Sequence, residues 1–153
     1  MKIHRLVAIV CVATTASCGS DSTGPADDCD VAGLPLSGSE DGPVVVAVSL
    51  EVQPGGIVLL ATATDPQGSE NLLGVQQSIS VFPNARCTGT PITVRDDLAG
   101  SGVEESFGTA IAAGDDAALY GSIAAASSWP VSVDFRDQDG NRTFGRVMAA
   151  VID

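Results

Sequence analysis

Histidine and lysine are almost missing from this chain. His4 and Lys2 are the only ones in 153 residues. Past residue 17 there is no imidazole and no side-chain amine. That excludes serine–histidine nucleophilic catalysis in its usual form, because the general base is absent. It also excludes a Ser-Lys variant, Schiff-base chemistry and a histidine-ligated zinc or copper site. Aromatic residues are scarce, with one Trp, one Tyr and four Phe. A core of this size would absorb nearly all of them, so sugar stacking has few rings to use. Trp129, expected at the rim of the core, is the ring to examine for exposure. Positive charge is scarce as well. Beyond residue 17, Arg86, Arg95, Arg136, Arg142 and Arg146 stand against 19 acids, a formal charge of −14. Such a surface repels nucleic-acid phosphates and anionic lipid heads, so no nucleic-acid partner is expected. The acidity reads as solubility near a membrane surface. Long apolar runs are absent too. Residues 6–13, LVAIVCVA, fall well short of the roughly 20 residues a spanning helix needs.

What is present begins with the N-terminus. Lys2, His4 and Arg5 precede the apolar run, and small residues fill 14–17. Basic, apolar, then small is the layout of a secretory signal peptide. A buried first strand or helix is the other reading, but no polar periodicity interrupts the run. Thr15-Ala16-Ser17-Cys18 resembles a bacterial lipobox, with Thr15 where Leu, Val or Ile is usual. The resemblance implies cleavage before Cys18 and a diacylglycerol on its sulfur. The reaction needs a thiolate as nucleophile. Two or more acyl chains, such as palmitate, anchor stably at about 0.8 kcal/mol per buried methylene. Gly19 follows in place of Asp, which by the enterobacterial rule favours the outer membrane. Residues 1–17 are thus expected to be a signal peptide, and the membrane is expected to be a partner through Cys18.

Four cysteines sort by position. Cys11 lies in the apolar run and Cys18 is the lipid candidate. Cys29 and Cys87 remain, an even pair in an exported chain, for which a disulfide is expected. A metal reading is weaker, with no CxxC and no histidine. Residues 18–43 are rich in Ser, Gly, Asp and Pro and read as a lipidated polar tether. With Cys29 bonded, about ten residues swing free, roughly 35 Å of reach.

From residue 44 the period changes. Val44, Val46, Val48, Leu50 and Val52 alternate with other residues, the period of a strand with one apolar face. Turns at 53–56 and 65–68 bracket a second strand at 57–64. A third is expected at 75–82, with Val75, Ile79 and Val81 on one side. A short fourth, 91–95, belongs at an edge because of Pro91. A fifth spans 103–112, with Val103, Phe107 and Ile111 inward. Residues 117–126 fit either a helix, with Leu119, Ser122, Ile123 and Ala126 on one face, or a strand. The last hairpin is clearest: Val131, Val133 and Phe135 alternate, Asp139-Gly140 supplies a positive φ, and 143–152 return. Short strands with Gly and Pro turns indicate an all-β sandwich.

VQPGGIVLLATATDPQGS and WPVSVDFRDQDGNRTFGRVMAAVI are similar to strand and hairpin signatures of bacterial immunoglobulin-like domains, including fibronectin III-like and cadherin-like relatives. The resemblance implies an immunoglobulin-like antiparallel β-sandwich of about seven strands over 44–153. It departs in lacking the inter-sheet cysteine pair and in placing Trp129 before a proline. Asp116 to Tyr120, DAALY, resembles the approach to a tyrosine corner.

Chemistry-bearing groups are acids. Asp96-Asp97, Glu104-Glu105 and Asp115-Asp116 are adjacent pairs. Strand neighbours point to opposite faces, so none is itself a facing glycosidase dyad. Calcium, which accepts six to eight oxygen ligands from loops, is the ion that would suit Asp134, Asp137, Asp139 and Asn141. The EF-hand spacing is absent, and Asp and Asn also hydrogen-bond their own turns. Arg142 and Arg146 flank Phe144 at period two, either as a small basic-aromatic face for a partner or as partners of Asp134 and the turn acids. The expected role is non-catalytic, as a membrane-anchored binding or structural lipoprotein of the cell envelope with a protein or glycan partner and no cofactor. The alternatives are a calcium-dependent adhesion module and a hydrolase, or its accessory domain, using loop carboxylates.

Overall fold

The computed structural model of the chain describes residues 29, 36–98, 102 and 104–153. The expected signal peptide, Cys18, residues 19–28 and 30–35 of the tether, and Val103 lie outside the described residues. The strands are β1 (Ser37–Gly38), β2 (Val44–Gln53), β3 (Gly56–Thr64), β4 (Gln76–Val81), β5 (Ile92–Asp97), β6 (Glu104–Ala112), β7 (Ser128–Arg136) and β8 (Arg142–Ile152). A 3-10 turn, Ser69–Leu72, follows β3, and α1 (Ala117–Ala124) precedes β7.

The strands hydrogen-bond in the order β5-β4-β7-β8-β2-β3-β6. This path folds over on itself. Phe107 of β6, at one end, stacks on Phe135 of β7, near the other, with ring centroids 6.0 Å apart and planes 9° from parallel. Leu50, Ile57, Leu59, Ile79, Val81, Val131 and Phe135 lie fully buried between the two layers. The result is the expected all-β sandwich. The pairs are antiparallel, with one exception: β2 runs parallel to β8 where Ser49, Leu50 and Glu51 meet Ala150, Val151 and Ile152. This crossing lets β2 belong to both layers. It pairs with β3 along its length, with a bulge between Val45 and Ala47.

Residues 117–126, readable as helix or strand, resolve to the helix α1. Asp116 caps it, its carboxylate accepting from Leu119 N–H at 2.9 Å, which satisfies one of the orphan donors of the first turn. Leu119 and Ile123, one turn apart, are its buried face. Tyr120 Oη then donates to the Gln53 carbonyl at 3.0 Å, tying the helix to the end of β2.

Gln77 is the polar side chain completely buried in the core. Its Nε2 donates to the Arg136 carbonyl at 2.8 Å, and its Oε1 accepts from Arg136 N–H at 2.7 Å. The backbone pairing of β4 with β7 runs from Val81/Val131 to Ser78/Asp134. Gln77 carries the ladder further with a side-chain amide where the backbones part.

Cys29 and Cys87 form the expected disulfide, with Cα atoms 5.1 Å apart, within the usual range. Cys29 N–H also donates to the Ala85 carbonyl at 3.0 Å. The bond therefore fixes the N-terminal segment to the loop between β4 and β5.

Two stability outcomes follow. Gln77→Leu strands both backbone groups of Arg136, and unfolding free energy should fall by about 3 kcal/mol. In urea titration this reads as a lower midpoint at unchanged slope. Replacing both Cys29 and Cys87 with Ser frees a loop of 58 residues, and the chain-entropy relation gives a loss of about 4 kcal/mol, measured the same way.

Candidate functional site

The outward face of β5, β4, β7 and β8 is built by alternation. While Gln77, Ile79 and Val81 point inward, Ser78 and Ser80 point out; on β7, Ser132 and Asp134 do the same. Register then aligns them across the sheet. Arg95, Ser78, Asp134 and Phe144 make one row, and Thr93, Ser80, Ser132 and Arg146 the next. The centre of the face is thus a floor of short hydroxyl side chains, with Ser80 and Thr93 hydrogen-bonded at 2.8 Å. Long side chains wall it, leaving a shallow depression of about 670 Å³.

The walls are arginine and phenylalanine. Arg142 lies over the ring of Phe144, 4.6 Å from its centroid, and Arg146 over that of Phe82 at 5.2 Å. Both distances suit a cation–π contact. Phe144 is 45% exposed. Arg142 also grips Asp134 in a two-pronged pair, Nε to Oδ1 at 2.6 Å and Nη2 to Oδ2 at 2.8 Å. Arg136 adds a longer contact to Oδ1 at 3.5 Å. Of the two sequence alternatives for the Arg142–Phe144–Arg146 stripe, the pairing with Asp134 is met by Arg142, and Arg146 instead lies over a ring.

Burial works against charge on Asp134, but the hydrogen bonds and positive field of Arg142 and Arg136 outweigh it, so the carboxyl titrates below its ordinary range. The hydrogen bond to Asp134 raises Arg142 in turn.

Of the four residues expected to serve calcium, Asp137 and Asn141 meet, while Asp134 and Asp139 are held by other partners. Asp134 is held by arginines on the outer face. Asp137 is buried and turns both oxygens to Asn141, accepting from its N–H at 2.7 Å and its Nδ2 at 2.8 Å. Asp139 accepts from Asn71 Nδ2 at 3.2 Å. That same Nδ2 donates to Gln67 Oε1 at 2.8 Å and approaches Asp65 Oδ1 at 3.4 Å. A neutral amide stands where these oxygens gather. Among the described residues, no three His, Cys, Asp or Glu side chains come together as a metal cluster. Gln138 Nε2 instead latches this hairpin to the 3-10 turn, donating to the Glu70 and Leu73 carbonyls at 2.9 and 2.8 Å.

Trp129 is not a sugar platform. It is 5% exposed, and its Nε1 donates to the Phe82 carbonyl at 2.9 Å. Of the acid pairs, Asp116 is committed to its helix cap, and Asp96 Oδ1 accepts from Asp97 N–H at 2.8 Å. A second hollow, beside Leu36, Val46 and Met148, is lined by residues with apolar side chains.

A carboxyl with a lowered folded pKa stabilises the fold above its unfolded value, near pH 4, and loses that contribution as pH falls through the folded value. Wild type should therefore be more stable than Asp134→Asn at pH 7, with the gap closing as pH drops from about 5 to 2. Urea titrations across that range decide it; a gap independent of pH would show that the charge of Asp134 does not stabilise.

No protein-family model matches this chain, and no curated protein or solved structure matches it; its functional reading rests on the geometry of its own residues.

Proposed function

We propose that the chain is an exported, lipid-anchored binding domain of the bacterial cell envelope, without catalytic activity. The observation that carries this is the Cys29–Cys87 disulfide, since such bonds persist in oxidising compartments outside the cytosol. It agrees with a basic, apolar, then small N-terminus ending in Thr15-Ala16-Ser17-Cys18. In this reading Cys18 carries the acyl chains, residues 19–28 are the leash, and the sandwich displays the face of β5, β4, β7 and β8. The outer membrane is the proposed location, on the strength of Gly19.

The absence of histidine and lysine past residue 4 supports a binding role over a hydrolytic one, because acid chemistry would have to rest on carboxylates alone. The outer face supplies hydroxyls, guanidinium groups and one exposed ring, which are recognition groups.

The anchor is tested by fractionation and mass analysis. Wild type should sediment with membranes and carry a diacylglyceryl mass on an N-terminal Cys18. Cys18→Ser should be soluble or retain the uncut leader. An unmodified Cys18 in wild type, or cleavage at another residue, would refute it.

A further inference from the structure

We infer that the outer face of β5, β4, β7 and β8 is a binding site for an acidic polysaccharide, a chain of sugars bearing carboxylates such as a polyuronate. The inference rests on the binding-domain reading above and specifies its ligand.

Charge segregation is the first argument. The chain carries a formal charge of −12, yet Arg95, Arg142 and Arg146 all line one depression, and Arg136 lines the hollow beside it. Among the described residues, neither Arg95 nor Arg146 forms an ion pair, in a molecule with acids to spare. The single carboxylate in the depression, Asp134, is already neutralised by Arg142. An incoming anion therefore meets net positive charge on this face and net negative charge over the molecule as a whole. Such a field guides an acidic ligand here and disfavours other contacts.

The floor decides which acidic ligand fits. β4 and β7 are interior strands, paired on both sides, so their backbone donors are spent. An extended peptide docks best by its main chain on a free strand edge; the interior of this face has none, the sheet's free edge lying at its border on β5. What the floor offers instead is Ser78, Ser80, Ser132 and Thr93, four hydroxyls that both donate and accept. They match a ligand bearing hydroxyls of its own. Phe144, covered by Arg142 on one face yet still 45% exposed, leaves the rest of its ring as an apolar contact for the C–H groups of a sugar.

Spacing points to a polymer. Arg95 on β5 and Arg146 on β8 are three strand intervals apart, about 14 Å at the usual inter-strand distance. A chain with successive carboxylates can engage arginines rooted on both sides of the face. Arg also suits this task because its planar fork binds a carboxylate bidentately.

The test uses the oxidised full-length protein in detergent, titrated calorimetrically with polygalacturonate fragments of defined length. Saturable binding is expected, weakened at least tenfold by Arg95→Ala or Arg146→Ala and by methyl esterification of the fragments. Phe144→Ala should weaken it less, and Glu104→Gln, exposed on β6 in the other layer, should leave it unchanged. Circular dichroism melts confirm that each variant is folded. Polyglutamate is the competing probe. If polyglutamate binds through the same arginines and the glycan does not, the ligand is an acidic protein segment and the polysaccharide inference falls, while the binding-domain reading stands. Glycan binding unaffected by both arginine substitutions, or no binding of the glycan by the folded protein, likewise overturns it. The state of Cys18 in membranes is independent of every one of these results.

Discussion

Phe135 and Phe107 meet near the middle of the molecule, and their contact makes two layers out of one sheet. They close the path from β5 to β6 on itself, with Leu50, Ile57, Leu59, Ile79, Val81 and Val131 buried between the same layers. The neighbours of Phe135 complete the arrangement. On one side, Arg136 has its backbone clamped by the amide of Gln77. On the other, Asp134 turns outward into the grip of Arg142. Three consecutive residues thus serve three different needs: a buried ring holds the layers, a backbone unit extends the ladder, and a carboxylate orders the surface. The alternation of a strand allows this, because inward and outward duties never compete for the same side chain.

The candidate site inherits its rigidity from that arrangement. Its floor lies on β4 and β7, whose opposite sides carry Ile79, Val81, Val131 and Val133 into the core. Hydroxyls on such a base keep their positions relative to one another, and preorganisation of this kind reduces the ordering cost of binding. The walls are also held: Arg142 by a carboxylate and a ring, Arg146 by a ring alone. Arg146 is therefore positioned yet chemically uncommitted, which is the condition for recognising an anion without first breaking an existing pair.

Much of this was legible in the sequence. The alternation in 44–52 and 131–136, the Asp139-Gly140 turn and the pairing of the two leftover cysteines all led to what the fold contains. They are local patterns or simple elimination. The failures were of another kind. Gln77 sits on the same parity as Val75, Ile79 and Val81, so the pattern itself placed it inward, but a polar residue there gives no hint of what it will bond 59 positions away. Trp129 is buried, in keeping with a place at the core's rim, but the proline after it gave no sign of how the indole would be placed. In the fold, Pro130 lies just beyond the end of the β4–β7 backbone ladder, and the indole is free to turn into the core. The Arg142–Phe144–Arg146 stripe was visible as a spacing of two. Arg95 was not, nor were the serines and threonine between, because only cross-strand register brings them to the same face. Likewise, the four oxygen-bearing residues expected to serve calcium lie close in sequence, but Asp134 faces the outer surface and Asp139 reaches Asn71, leaving Asp137 and Asn141 bonded to each other.

The disulfide also sets how the molecule carries tension. A pull on the chain before Cys29 enters the body at Cys87, in the loop joining β4 to β5, and does not pass first through β1 and β2. A load applied to the outer face is borne by β4, β7 and β8. The line between the two points therefore runs along interior strands paired on both sides, which resist by shear across many hydrogen bonds at once. The layer of β3 and β6 lies off that line. A chain held before Cys29 and loaded on this face would therefore place the pull on paired interior strands.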